Sequence, residues 1–123
     1  MKYPLHIKKQ LQEWATEAYK RELEREIKRL EKDIAAWKNG RISSEELNHR
    51  IQEWNAGPSK ALRKQYDYGQ VDANVAFAVV AGILKTRELP DDMLEAIESS
   101  LDAYRKMKDK GKLSDRKGKW WSA

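Results

Sequence analysis

One apolar stripe at helical spacing runs along the first third of the chain. Hydrophobic residues recur every three or four positions from Ile7 to Trp37, which is the period of one face of an α-helix. Between Leu23 and Trp37 the steps alternate between four and three, the a/d pattern of a helix that packs against another helix. Oppositely charged residues four positions apart support the remaining faces. The pattern predicts a long N-terminal helix over about 5–37.

A second helix is signalled directly after the first. Asn39-Gly40 favours a helix stop, because both residues readily adopt the left-handed conformation found at helix C-caps. Ser43, with Glu46 three residues later, has the spacing of a capping box. A stop followed so soon by a strong start predicts a tight turn between two helices.

The second helix has its own apolar face, formed by Leu47, Ile51 and Trp54. Gly57-Pro58 follows this face and predicts a helix end. Because the connection between the two helices is short, we expect an antiparallel helical hairpin over about 5–55. The expected contacts are Leu47 with Ile34, Ile51 with Leu30, and Trp54 with Leu23 or Ile27.

The second half of the chain predicts shorter helices. One covers about 60–68, before Gly69. The segment over about 73–86 is apolar almost all round, as in a buried core helix; its valines leave a β-strand as the alternative, but its length and alanine content favour a helix. Leu89-Pro90 and two aspartates then predict the start of a C-terminal amphipathic helix over about 90–109. We therefore expect an all-α helical bundle, with residues 1–111 as a single domain.

Composition limits the chemistry of this bundle. The chain has 123 residues, enough for one domain, and 25 basic residues nearly balance 20 acidic ones. The absence of cysteine excludes disulfides, thiolate metal sites and a cysteine nucleophile. Glu46 and His49 have the spacing of one half of a di-iron carboxylate site, but no second half occurs. No catalytic, cofactor-binding or metal-binding residue is therefore assigned, and no cofactor is expected.

Positive charge is concentrated at the end of the chain. Residues 110–123 contain five basic residues and one acidic residue, so they carry +4 of the net charge of +5. Residues 112–123 show no helical periodicity, which predicts a basic, mobile tail. The candidate interaction residues in this tail are four cations and two aromatic residues: Lys112, Arg116, Lys117, Lys119, Trp120 and Trp121.

Basic residues beside tryptophan have several interpretations. The combination binds single-stranded nucleic acid through phosphate contacts and base stacking. It also suits an anionic membrane surface or another protein partner. Alternatively, the two tryptophans fold back onto the body of the protein or onto a partner subunit.

Neither a leader nor a membrane span is predicted. The first residues lack the apolar stretch of a secretory signal. The longest apolar run, residues 75–84, would cover about 15 Å as a helix, half of a bilayer core. We therefore expect a cytoplasmic protein.

The length of the first helix suggests assembly. A straight helix of about 33 residues is about 50 Å long, longer than a domain of this size is wide. Its first half should therefore lack partners within the chain, and pairing with a second copy would bury its stripe. The sequence thus predicts a non-catalytic interaction or oligomerisation module that forms a homodimer. The interacting residues of the stripe are expected to be Ile7, Leu11, Trp14 and Tyr19.

Two other functions remain open. Nucleic-acid binding through the basic tail is the first alternative. A small carboxylate or tyrosine enzyme is the second, and it requires one pocket that gathers His49, Tyr66, Asp67 and Asn74. Tyr66-Asp67-Tyr68 is the densest cluster of aromatic and polar residues in the chain, and it either lines such a pocket or forms an ordinary helix end.

Overall fold

A computed structural model describes residues 3–116 and 119–121. Within these ranges the chain is largely helical and contains no β-strand, which confirms the predicted all-α bundle. The described residues form six α-helices: α1 (Leu5–Lys38), α2 (Ser44–Trp54), α3 (Lys60–Tyr68), α4 (Val71–Val80), α5 (Asp91–Ala96) and α6 (Glu98–Asp109).

The turn between α1 and α2 forms at the predicted place, but only the Ser43 half of the predicted capping box is present. Gly40 has a φ of +73°, the left-handed conformation that lets the chain leave α1. The Ser43 hydroxyl accepts a hydrogen bond from the backbone N–H of Glu46 at 3.0 Å. The Glu46 carboxylate accepts from Arg50 at 3.0 Å, so it contributes to an ion pair along the helix.

Three side-chain hydrogen bonds define how α1 and α2 run relative to each other. They join the Trp37 indole to the Ser44 hydroxyl (3.0 Å), Arg50 to Asp33 (2.8 Å), and the Trp54 indole to the Glu26 carbonyl (3.0 Å). As the residue number rises along α2, that of the partner falls along α1, so the two helices are antiparallel. Trp54 therefore lies beside residue 26, close to its expected neighbours Leu23 and Ile27.

The second arm of the hairpin does not end at Gly57-Pro58, so that prediction is wrong. Asn55–Ser59 form a π-helical stretch that joins α2 directly to α3. Proline has no N–H for the usual helical hydrogen bond and its ring clashes with the preceding turn. The wider π-helical turn admits Pro58, which is buried, without ending the helix.

α4 is the buried helix, although it is shorter than predicted. It ends at Val80, and Gly82 follows with a φ of +81°, a conformation that stops an α-helix. The predicted C-terminal helix is also interrupted. Ile97 leaves the helical region with φ −107° and ψ 18° and separates α5 from α6, while its side chain remains fully buried.

The hydrophobic core lies between the first half of α1 and the second half of the chain, where α1 packs against α4 and α5, and α4 packs against α6. The core residues are Ile7, Leu11, Ala18, Val75, Ala76, Ala78, Val80, Leu84, Leu89, Met93, Ile97 and Leu101. The expectation that the first half of α1 lacks partners in its own chain is therefore wrong. The short helices gather at one end of α1 and leave the other end to α2.

No helix in the described part of the chain combines the length and the apolar character needed to cross a membrane. α1 is long enough but carries charged residues throughout.

Candidate interaction site

The arms of the hairpin carry an apolar surface that the described part of the chain covers only in part. Three of its residues are clearly exposed: Ile27 by 47%, Trp37 by 41% and Ile51 by 38%. No residue of α2 is buried. We call this surface the hairpin face, and its residues are Leu23, Ile27, Leu30, Ile34, Trp37, Leu47 and Ile51.

Polar contacts hold the two arms together beside the hairpin face. Arg50 on α2 pairs with Asp33 on α1 at 2.8 Å and with Glu46 at 3.0 Å. The hydrogen bond to Asp33, followed by that to Glu46, raises the pKa of the Arg50 guanidinium. The hairpin register is thus fixed by directional bonds, while much of its apolar area remains in contact with solvent.

The predicted stripe in the first half of α1 is used inside the chain. Ile7 and Leu11 are 3% and 1% exposed and belong to the core. Trp14 and Tyr19 are half-buried, and the Tyr19 ring packs 5.4 Å from the ring of Tyr66. Ile7 and Leu11 therefore cannot form an exposed surface for a second copy, which corrects the predicted location of an interface.

The tail segment, residues 112–116 and 119–121, lies against α1 and the π-helical stretch. The Arg116 side chain pairs with Glu22, and the Trp120 indole donates to Glu26 at 3.4 Å. Trp121 lies over Gly57, where a Cβ atom would stand 2.5 Å from its indole nitrogen. This placement is that of the alternative in which the tryptophans fold back onto the body.

The other cations of the tail differ in their surroundings. Lys112 and Lys119 are exposed, whereas Lys117 lies outside the described residues. Arg116 and Trp120 are engaged with acidic side chains of α1, so neither is presented to a phosphate backbone in this structure.

Arg116 occupies a cluster of side chains that we call the arginine socket: Glu22 from α1, Tyr66 from α3 and Phe77 from α4. Glu22 is 1% exposed, and its carboxylate accepts hydrogen bonds from the Tyr66 hydroxyl at 2.5 Å and from Arg116. The Arg116 guanidinium carbon lies 4.1 Å from the centre of the Phe77 ring and 5.8 Å from that of Trp120. Burial, reinforced by the Glu22 charge, raises the pKa of Tyr66 well above its usual value, so this tyrosine is a hydrogen-bond donor at neutral pH.

A second buried carboxylate lies one turn further along α1. Glu26 is 2% exposed and pairs with Arg29 at 2.8 Å. Sequence reasoning missed both Glu22 and Glu26, although a signal was available. They continue the helix face of Leu11 and Ala18 at helical spacing, so their position on the buried face could have marked them as partners for the basic tail.

The residues proposed for an enzyme do not meet at one place. Tyr66 and Asp67 line a surface cavity of about 300 Å³ together with Gln12 and Tyr19. Asn74 instead binds Gln65, at 2.9 Å. His49, on α2, pairs with Glu53 at 3.1 Å. Tyr68, the third residue of the aromatic-polar cluster, is 85% exposed.

Comparison of the chain with protein families, with curated proteins and with solved structures found no match. Among the described residues, no group of three or more histidines, cysteines, aspartates or glutamates is placed to hold a metal ion.

Proposed function

We propose that the chain is a cytoplasmic helical interaction module that forms a homodimer through its hairpin face. The observation that carries this proposal is the joint exposure of Ile27, Trp37 and Ile51 on a hairpin whose second helix, α2, contains no buried residue. Ile27 and Trp37 belong to the same apolar stripe of α1, and an exposed apolar stripe is typical of an interaction site.

A second copy is the occupant that the hairpin face fits best. Two antiparallel helices have one apolar side left over, and two such hairpins complete a four-helix bundle with a common core. The alternating four- and three-residue steps from Leu23 to Trp37 are those of helices packed at the shallow angle of such bundles. A twofold axis brings identical faces together, so one apolar stripe is enough for both subunits.

The charges of the hairpin do not oppose this assembly. Residues 23–54 contain seven basic and seven acidic residues and carry no net charge, although the whole chain is basic. Two hairpins can therefore approach each other without the repulsion that a charged surface produces. The positive charge lies elsewhere, in the segment 110–123.

Sedimentation velocity at increasing concentration tests the proposal. We expect the wild-type chain to be a dimer at tens of micromolar and the double variant Ile27→Glu/Ile51→Glu to be a monomer, because a buried carboxylate without a partner is strongly unfavourable. Leu5→Glu is the matched control: Leu5 is also an exposed apolar residue of α1, at 69%, but lies at the other end. A wild-type monomer at all concentrations, or a dimer that the double variant leaves intact, would contradict the proposal.

A further inference from the structure

The arginine socket is formed by side chains from three helices of the body. Glu22, Tyr66 and Phe77 come from three different helices that pack around the core end of α1. The Tyr66 hydroxyl already orients the Glu22 carboxylate through a 2.5 Å hydrogen bond. The helices thus supply the carboxylate and the aromatic ring, and the tail supplies the guanidinium.

The shape of the socket selects a guanidinium group over other cations. A planar guanidinium can lie flat on an aromatic ring while its N–H groups point to a carboxylate. Arg116 does both: its guanidinium carbon lies 4.1 Å from the Phe77 ring centre, and one of its terminal nitrogens donates to Glu22. An ammonium group has no flat face to stack and is more strongly hydrated.

The backbone of the tail is adapted to this contact. Arg116 has a φ of +54°, the one left-handed non-glycine residue in the described part of the chain. Such a conformation is unfavourable for a residue with a Cβ atom and persists where other contacts hold it in place. The buried Arg116 side chain supplies such contacts through Glu22 and Phe77, and Arg29 donates to the Arg116 carbonyl at 3.5 Å.

We propose that Glu22, Tyr66 and Phe77 form a binding site for the guanidinium group of an arginine in an extended segment, and that the tail is the tethered ligand of this site. Arg116 follows the last residue of α6 by seven positions. So short a tether gives the tail a high effective concentration at the socket. This site does not include the hairpin face, so its test is independent of the dimer.

Chemical rescue of the full-length chain tests the site. In Arg116→Ala the buried Glu22 carboxylate keeps Tyr66 and the more distant Arg25, at 3.5 Å, but loses its closest cation. We therefore expect the midpoint of thermal unfolding to fall by about 5 °C. Millimolar methylguanidinium should raise this midpoint again by binding the empty socket, while methylammonium should not. Arg105→Ala is the control, because it removes an arginine paired with exposed Glu98 and leaves no buried site to refill.

Two further variants keep the test decisive. Adding Glu22→Gln to Arg116→Ala should abolish the rescue, because the ligand's counter-charge is gone. Arg116→Lys keeps the charge and is the milder change, and it should still lower the midpoint, because lysine cannot stack on Phe77 and reach Glu22 as a flat group. Equal effects of the two cations, rescue that survives Glu22→Gln, or full stability of Arg116→Lys would each overturn the proposal.

Discussion

The two halves of α1 carry the same kind of apolar stripe but have different surroundings. In the first half, Ile7 and Leu11 are almost completely buried against the short helices of the body. In the second half, Ile27 and Trp37 are 47% and 41% exposed, because a single helix, α2, lies against them. Helical periodicity therefore shows which face of a helix seeks a partner, whereas the number of helices available at each end decides whether the partner is found within the chain.

The boundary between the two halves is where the buried face of α1 changes from apolar to acidic. Leu11 and Ala18 are followed on the same face by Glu22 and Glu26, both nearly inaccessible to solvent. Buried carboxylates require hydrogen-bond donors or opposite charges, and the tail and neighbouring arginines supply them. The tail thus covers the end of the core rather than extending the basic surface.

The largest expected difference between the two halves of α1 is in how much stability is lost when one apolar residue in each half is shortened to alanine. Leu11→Ala should lower the free energy of unfolding by about 3 kcal/mol, because it opens a cavity in the core. Ile27→Ala should cost less than about 1 kcal/mol at low protein concentration, since the side chain is half exposed. Urea unfolding of both variants measures the difference.

Repeating the measurement at increasing protein concentration should distinguish the two variants by their concentration dependence. If the hairpin face is an interface, the cost of Ile27→Ala rises with concentration, because the dimer stabilises the folded state by mass action. The cost of Leu11→Ala should change little. An Ile27→Ala variant as damaging as Leu11→Ala in dilute solution would show that the second half of α1 is buried in the monomer.

A smaller effect, whose sign depends on the tail, is expected at Gly57. Alanine has the higher helix propensity, by about 1 kcal/mol, but a Cβ atom there would stand 2.5 Å from the Trp121 indole nitrogen. Gly57→Ala should therefore be neutral or slightly destabilising in the wild-type chain and stabilising by about 0.5–1 kcal/mol in a Trp121→Ala background. A double-mutant cycle by urea unfolding gives both values, and the same effect in both backgrounds would mean that Trp121 does not pack on Gly57.

The smallest expected effect concerns the ion pair where α1 meets the turn after α4. Hydrogen bonds from Arg21, and then one from the Lys85 backbone, lower the pKa of Glu88 from 4.5 to about 2. A carboxylate with a lowered folded pKa stabilises the protein above its unfolded pKa, and this contribution is lost as the pH falls from about 4.5 to about 2. Glu88→Gln should reduce the slope of stability against pH in this window only. An unchanged slope would show that solvent screens the pair completely.

Local signals predicted the elements well wherever neighbours within a few residues decide the structure. Ser43 caps α2 and Gly40 adopts its left-handed turn, because both effects depend on a single helix end. The prediction that Pro58 ends the helix was wrong because contacts distant in the sequence decide the structure there. Its burial within a continuous helical arm depends on packing from elsewhere in the chain, which outweighs its local preference.

For the tail, too, the sequence predicted the local features but not the contacts with distant residues. Its charge and its tryptophans were identified in the sequence, whereas Glu22 was missed although its spacing places it on the helix face of Leu11 and Ala18. That Arg116 lies between Glu22 and Phe77 was not visible, because these residues are far apart along the chain. Periodicity reports contacts within one helix and does not pair distant segments.

By itself, the sequence determined the all-α class, the long first helix and the turn that starts its antiparallel partner, because backbone hydrogen bonding and side-chain spacing act over a few residues. Tertiary structure alone decided which half of α1 is covered, how the helix continues through Pro58, and where the tail lies. Those outcomes depend on competition among several apolar and charged faces for the same partners, and that competition is settled only when all the helices pack together.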